Sequence, residues 1–327
     1  MVYYNNILDY NNMVYFSLGG IDLYLYLLNR PSNHEELAHL ECLMLTGAKT
    51  EKCYAISNNY IDIRNSAFLD ICVDIFFTEE KLDILYERIR SLNFDEENYR
   101  VKFINIDIHI DFSTRKALER HISDIFTGAP DLINPDSEFI ITNLEGKWLF
   151  GKTQGYAENR WLKFNKKPHT FCNSLSSRMS RALVNIAVQN HKGLKLLDPC
   201  CGMGSIILEA LDMGIDAYGF DINRTVVRSA KKNLQHFGFE DRILLKDAST
   251  IEGCYDVSIV DLPYAIMSTI DKDEYYDILG NLRKVCDKSI ILCGEDISDV
   301  ISHCGFNIEN SCKVKKGNLT RHISVCL

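Results

Sequence analysis

Leu196-Leu197-Asp198-Pro199-Cys200-Cys201-Gly202-Met203-Gly204-Ser205 decides how this chain is read. A short apolar run ends in an acid and turns on two glycines. It then opens into the apolar stretch Ser205 to Leu211, a pattern that predicts strand, tight turn and helix. Glycines at 202 and 204 let the backbone turn sharply and approach a ligand with no Cβ in the way. A helix N-terminus at that ligand presents unpaired N–H groups. From Gly193 onward, strand-like and helix-like stretches alternate strictly. That alternation predicts an α/β fold, a parallel sheet with helices on both faces.

The following strand-like stretches end in the same way. Ala217 to Phe220 ends in Asp221-Ile222, Ile243 to Lys246 in Asp247-Ala248, and Val257 to Val260 in Asp261-Leu262-Pro263-Tyr264. One acid at a strand end is commonly a helix cap; a series of them on successive parallel strands indicates a ligand. A dinucleotide would ask for a third glycine three residues beyond Gly204, where Ile207 stands. Asp198 would repel a pyrophosphate, but it attracts a ligand carrying an ammonium and a sulfonium, as S-adenosylmethionine does. On this reading Asp198, Pro199, Cys200, Gly202, Gly204 and Ser205 hold the methionine end. Asp221 binds the ribose hydroxyls, Ile222 packs on the adenine, and Asp247 with Ala248 accepts from the adenine amine.

Asp261-Leu262-Pro263-Tyr264 then sits at the same edge as the reacting group. Exocyclic amines of bases are poor nucleophiles because the lone pair is delocalised into the ring. A carboxylate and a backbone carbonyl that accept both N–H bonds draw the nitrogen towards tetrahedral geometry. Asp261 also stabilises the positive nitrogen that transfer creates. Pro263 removes an N–H and fixes the turn, Leu262 continues the backbone through it, and Tyr264 offers a face on which a base stacks.

Composition narrows the class. The 327 residues, 46% of them hydrophobic, are enough for more than one core. No apolar run approaches the ~18 residues of a membrane span. The first residues, Met1 to Asn6, lack the order of a signal peptide. With 12 cysteines this implies reduced thiols and a cytoplasmic location. None stand as Cys-x-x-Cys, so no metal site is expected. The net charge of −9 argues mildly against nucleic acid, but its distribution does not. Residues 1–150 are acidic, whereas residues 151–193 hold eight basic residues against Glu158 alone. Lys163, Lys166 and Lys167 here, and Lys315, Lys316 and Arg321 in the basic tail, are candidate contacts to RNA phosphates.

Upstream, Met13 to Leu18, Tyr54 to Ile56 and Asp70 to Phe76 read as strands, and His34 to Leu45 as an amphipathic helix. A second helix has Thr78 as cap and Lys81 to Leu92 as body. Arg100 to Ile110 reads as a strand and Ser113 to Phe126 as a helix. A hairpin turns at Glu145-Gly146. This organisation suggests a ferredoxin-like α+β domain over 1–95, a second small domain over 96–155, a linker with a leading helix over 156–192, and the α/β domain over 193–327.

Together these residues resemble the class I methyltransferases, in particular the THUMP-containing guanine-N2 methyltransferases that act on tRNA. The family pattern at the reactive strand is Asp-Pro-Pro-Tyr, from which this chain departs at Leu262. Pro168 to Leu175, followed by the helix from Ser177, looks like the family's leading segment, which places Asn173 and Leu175 over the cofactor. Pro130 to Asp136 and Lys147 to Gly151 look like the end of a THUMP domain, and Leu319 to Ile323 like the closing strand. The resemblance implies a Rossmann-like, seven-stranded, mostly parallel sheet with a C-terminal antiparallel hairpin, preceded by a THUMP-like or ferredoxin-like α+β region. It further implies S-adenosylmethionine as cofactor and tRNA as partner. Methylation of an adenine amine in DNA or ribosomal RNA is the alternative chemistry. A catalytically degenerate RNA- or protein-binding relative is the non-enzymatic alternative.

Overall fold

The computed structural model describes residues 22–29, 31–171, 174–189, 191–263, 272–317 and 319–327. They fall into two units. The first is built on a six-stranded sheet. Its strands are β1 (Tyr24–Leu28), β2 (Tyr54–Ser57), β3 (Leu69–Glu79), β4 (Tyr99–Phe103), β5 (Ser137–Leu144) and β6 (Lys147–Tyr156), in the order β2-β1-β3-β6-β5-β4. All neighbours are antiparallel except β4 and β5. Between β1 and β2 the chain leaves this unit to form α1 (Glu35–Thr46), which belongs to the second. Helices α2 (Leu82–Ser91) and α3 (Phe112–Ser123) cover one face. Beneath them lie Phe76, Leu85, Ile89, Val101, Ile122, Phe139 and Phe150. The rings of Phe139 and Phe150 stack at 5.8 Å.

The sequence suggests a boundary near residue 95, but one sheet runs across it. The join is β3 against β6, with Asp74 opposite Lys152 and Ile75 opposite Gly151. A Cβ on Gly151 would lie 2.1 Å from the Asp74 carbonyl oxygen, so only glycine lets the two strands close. Three local readings also differ. Thr78 lies within β3, and the helix after it begins at Leu82. β4 stops at Phe103, beyond which the Asn105 side chain accepts from the Ile110 N–H. α3 is capped by Asp111, which accepts from the N–H groups of Ser113 and Thr114. The hairpin turns where expected: Glu145 and Gly146 have φ of 51° and 83°, the pair of positive angles a two-residue hairpin turn requires. The expected strand Met13 to Leu18 lies outside the described residues.

The second unit takes in residues 29–49, 64–68 and 157–327. Its strands are β7 (Lys195–Asp198), β8 (Asp216–Asp221), β9 (Ile243–Leu245), β10 (Tyr255–Asp261), β11 (Cys286–Cys293), β12 (Ile308–Lys316) and β13 (Leu319–Cys326). Their order is β12-β13-β11-β10-β7-β8-β9. β7 to β11 are parallel, and β13 runs antiparallel to both β11 and β12. This is the expected seven-stranded sheet with a terminal hairpin. Strand order reverses between β7 and β10, and a crevice opens at their carboxyl ends at such a point. Helices α4 (Ser177–Val188), α5 (Ser205–Asp212), α6 (Arg224–His236), α7 (Lys272–Val285) and α8 (Ser298–His303) complete the unit. No described helix is long and apolar enough to cross a membrane.

α4 is buried along almost its whole length, so it cannot belong to a linker. α1 and the segment 64–68 pack with it, far from the boundary suggested at residue 193. Polar groups lock these pieces. Glu41 of α1, wholly buried, accepts from the Ser66 hydroxyl, the N–H groups of Ala67 and Phe68, and the Asn185 amide at 2.6–2.9 Å. Arg181 of α4, equally buried, donates to Glu209 at 2.7 Å and to Asp212 at 2.5 Å. Removing the Glu41 carboxylate would strand the Ala67 N–H, while the Phe68 N–H would keep Ser66 Oγ and the Asn185 amide the Asn65 carbonyl; a stranded buried donor costs about 1–3 kcal/mol and each other lost bond about 0.5–1.5 kcal/mol. Glu41→Ala is therefore expected to lose on the order of 2–4 kcal/mol of stability and the hydrogen-exchange protection of the Ala67 amide. Protection at the wild-type level would show that the carboxylate does not hold this segment.

Candidate active site

The glycine turn is laced to the neighbouring strand. Gly202 and Gly204 adopt φ of 51° and 76°, both left-handed. Cys201 N–H donates to the Phe220 carbonyl at 2.8 Å, and Gly202 N–H to Asp221 Oδ2 at 3.1 Å. The other Asp221 oxygen accepts from Asn223 N–H at 2.8 Å. Asn223 in turn caps α6 through the N–H groups of Thr225 and Val226. Asp221 is thus fixed at the crevice with lone pairs to spare for hydroxyl donors. The next side chain, Ile222, is 72% exposed beside it, where an aromatic ring can lie. A Cβ on Gly202 would meet nothing within 4 Å, so the turn borders open space.

Two residues that the sequence did not single out hold this arrangement. A Cβ on Gly219 would come within 2.7 Å of Ile243 and 3.0 Å of Cys201 and Ile207. Gly219 therefore fills, on the next strand, the close-packing role that a third glycine of the turn would have. Asn233, buried on α6, donates its amide to the carbonyls of Met203 at 3.0 Å and His169 at 2.9 Å, and accepts from His169 N–H at 3.0 Å. It pins the leading segment to the glycine turn. A polar residue on the face shared by Val227, Ala230 and Leu234 was the available signal.

Asp198, Asp221 and Asp261 gather at the carboxyl edge. Asp198, ending β7, is buried and accepts from Cys200 N–H at 3.3 Å. Burial raises its pKa well above the usual range, and the nearby charges of Asp261 and Asp221 add to the rise. Burial and the same acids push up the Cys200 thiol. Asp261, ending β10, keeps 20% of its side-chain surface open and has its inner oxygen 3.5 Å from Nε of Arg321. Burial lifts its pKa to about 7 against the pull of that guanidinium. Asp247 spends one oxygen on the N–H and hydroxyl of Ser249, and Ala248 is buried behind it.

The tetrapeptide is anchored through its backbone. Leu262 N–H donates to the Leu292 carbonyl at 3.0 Å, and the Pro263 carbonyl accepts from the Tyr275 hydroxyl at 3.0 Å. The Leu262 side chain is buried in the apolar cluster with Val260, Tyr275 and Leu279, so this residue can serve the site only through its main chain. Leu175 is buried as well. Tyr264 and Asn173 lie outside the described residues.

Three expected phosphate contacts are placed otherwise. Arg321 is only 2% exposed and pairs with Asp261; a cation inside the site cannot meet RNA phosphates. Lys167 donates to the Ser205 hydroxyl at 2.6 Å at the start of α5, and burial lowers its pKa. Lys163 is taken up by Asp212. Lys166 and Lys315 remain on the surface.

The donor set fits S-adenosylmethionine. Clustered carboxylates favour a ligand with cationic sulfur and nitrogen, Asp221 is fixed with lone pairs free for hydroxyl donors, and the exposed Ile222 beside it offers a surface to an aromatic ring. Among the described residues, no group of three His, Cys, Asp or Glu is placed to hold a metal.

Strand order, glycine turn and acid series together define a class I methyltransferase. Residues 165–296 match the RMKL-like methyltransferase domain family UPF0020. Over 158 residues the chain is 32% identical to the tRNA (guanine(10)-N2)-dimethyltransferase of Pyrococcus abyssi, a match covering 45% of this chain and 47% of the relative. It is 31% identical over 122 residues to a probable tRNA (guanine(10)-N2)-dimethyltransferase of Methanothermococcus thermolithotrophicus, covering 34% of this chain and 74% of the relative. With the human U6 snRNA (guanine-N(2))-methyltransferase THUMPD2 it shares 30% identity over 140 residues, 40% of this chain and 27% of the relative. The match spans half or less of the length of the first curated relatives. The chain belongs to the same family as these guanine-N2 methyltransferases.

Asp221→Ala is expected to weaken S-adenosylmethionine binding by roughly 1.5–3 kcal/mol, as for hydrogen bonds to a charged group. The fold should persist, because Asp221 lies at a strand end outside the core. Calorimetry showing unchanged affinity would remove the ribose assignment.

Proposed function

We propose that this protein transfers a methyl group from S-adenosylmethionine to the exocyclic N2 amine of a guanosine in a folded RNA, tRNA being the leading substrate. The observation that carries this reading is Asp261, half-sheltered at the carboxyl edge beside the glycine turn, with its inner oxygen towards Arg321. Bound S-adenosylmethionine supplies an electrophilic methyl group on a sulfonium. Guanine presents N1–H and N2–H side by side, two donors that the outward oxygen of the Asp261 carboxylate can accept together. Adenine presents an acceptor beside its amine and matches an amide side chain instead. The Pro263 carbonyl is engaged by Tyr275, so we assign the second amine hydrogen to the Leu262 carbonyl. Asp261 must be ionised for this and faces the nitrogen as it becomes positive.

The first unit we read as the module that positions RNA, THUMP-like in origin. An open groove of about 1080 Å³ lies along β4 and α3, lined by Arg100, Lys102, Arg115, Lys116, Arg120 and His121 with Glu119, the ion-pair partner of Lys116, and Asp124 among them. This supports RNA binding by a region whose overall balance is acidic. Lys116→Glu combined with Arg120→Glu should weaken RNA binding and flatten its salt dependence by roughly one log–log unit per lost phosphate contact. Cofactor affinity should not change. An unaltered salt slope would take the groove out of the RNA path.

For the chemistry, single-turnover assays with tRNA and mass spectrometry of the nucleosides should show N2-methylguanosine. N6-methyladenosine, or no transfer at all, would overturn the reading. Asp261→Ala should slow the chemical step by on the order of a hundredfold or more while leaving cofactor affinity near wild type. Because the carboxylate form is required, the wild-type rate should rise with pH. Its midpoint should lie at or somewhat below about 7, the Asp261 value before a cationic ligand adds its own downward pull.

A further inference from the structure

We infer that Arg321 is the positioning residue of this active site, the group that turns Asp261 towards the substrate and holds it as a carboxylate. The inference rests on the methyl-transfer reading above and adds a residue to it. Arg321 lies in β13 opposite Val314, beyond the matched residues 165–296. Its side chain is 2% exposed, and its Nε stands 3.5 Å from Asp261 Oδ1. That oxygen is buried and has no closer hydrogen-bond partner, while the rest of the Asp261 side chain keeps the exposure that faces outward. One carboxylate edge is thus turned to the guanidinium and the other left for the amine.

The surroundings make a cation necessary. Asp198 of β7 and Cys200 of the glycine turn are near enough for their electrostatics to couple with Asp261, and Asp221 stands one strand further along the sheet. Among the described residues, α7 and β11 bring the hydroxyl of Tyr275 and the thiol of Cys293, which bond to each other, the former also to the Pro263 carbonyl, and Glu274 of α7 adds another acid near Cys200. None of these supplies positive charge. A sheltered carboxylate among other acids takes up a proton unless a cation opposes it, and a protonated Asp261 can no longer accept from two adjacent donors.

The test is the pH dependence of single-turnover methylation at saturating cofactor and tRNA. Arg321→Gln should move the acidic limb of the rate upward by about one unit, which at pH 7 reads as a loss of roughly two- to sixfold that high pH restores. Arg321→Lys keeps the charge but not the planar fork. It should leave the limb within about half a unit of wild type and lower the plateau. A uniform loss at every pH in Arg321→Gln, with the limb unmoved, would overturn the proposal. So would a wild-type plateau in Arg321→Lys, which carries the test alone if Arg321→Gln does not fold. Carbon-13 NMR of the Asp261 carboxyl in wild type and Arg321→Gln reads the same coupling without RNA. A wild-type protein inactive on RNA would sink the proposed function, whereas an Asp261 titration indifferent to residue 321 would sink only this inference.

Discussion

Keeping acid at the carboxyl edge of a parallel sheet is the constraint on which the second unit is organised. β7 lies between β8 and β10, so Asp198, Asp221 and Asp261 converge because their strands do. Sheltered carboxylates are costly unless something accepts their charge. Backbone donors from Cys200, Gly202 and Asn223 answer part of it, and the Arg321 guanidinium another part. The glycine turn therefore does more than make room. Its left-handed angles aim an N–H of the loop at an acid on the neighbouring strand, so one backbone conformation shapes the pocket and steadies its charge.

What the sequence made legible was what it keeps close together. The turn from Asp198 to Ser205, the acids at strand ends and the Glu145-Gly146 hairpin are each decided within ten residues, and each appears where the pattern put it. The parallel sheet followed from simple alternation. The residues that were missed owe their roles to distant partners. Gly219 matters because Ile243 and Cys201 press on it. Asn233 matters because His169 and Met203 meet at its amide. Arg321 sits in a tail rich in Lys and reads as surface charge until β13 is folded beside β11, which turns it inward. The six residues of Arg321, Lys167 and Lys163 with their partners Asp261, Ser205 and Asp212 show the same thing: a basic cluster in sequence says nothing of which members are already engaged.

Division of the chain was the least legible property. Composition and motif order suggest beads on a string, whereas the fold sorts segments by which apolar face they cover. α4 has too few polar positions to face water, so it draws α1 and residues 64–68 onto itself. Glu41 and Arg181 then serve these contacts from within, each buried with several partners. In the first unit the absence of a side chain at Gly151 lets β3 and β6 meet, and a single sheet forms where two domains were expected.

Docking of α1 has a consequence for how the molecule comes into being. The Lys313 N–H donates to Glu36 across 277 positions of sequence, and α1 packs on β12 as well as α4. A ribosome adds roughly 5–20 residues per second, so α1 emerges tens of seconds before the strand that completes its seat. For the first part of that interval its apolar stripe has no final partner, and after α4 emerges it still lacks β12. The first unit, whose last strand ends at Tyr156, can meanwhile close on its own sheet. Synthesis thus runs through a stage in which the first unit's sheet is complete while α1 still lacks the last strand of its seat, the period when a chaperone or a wrong partner has most access to it.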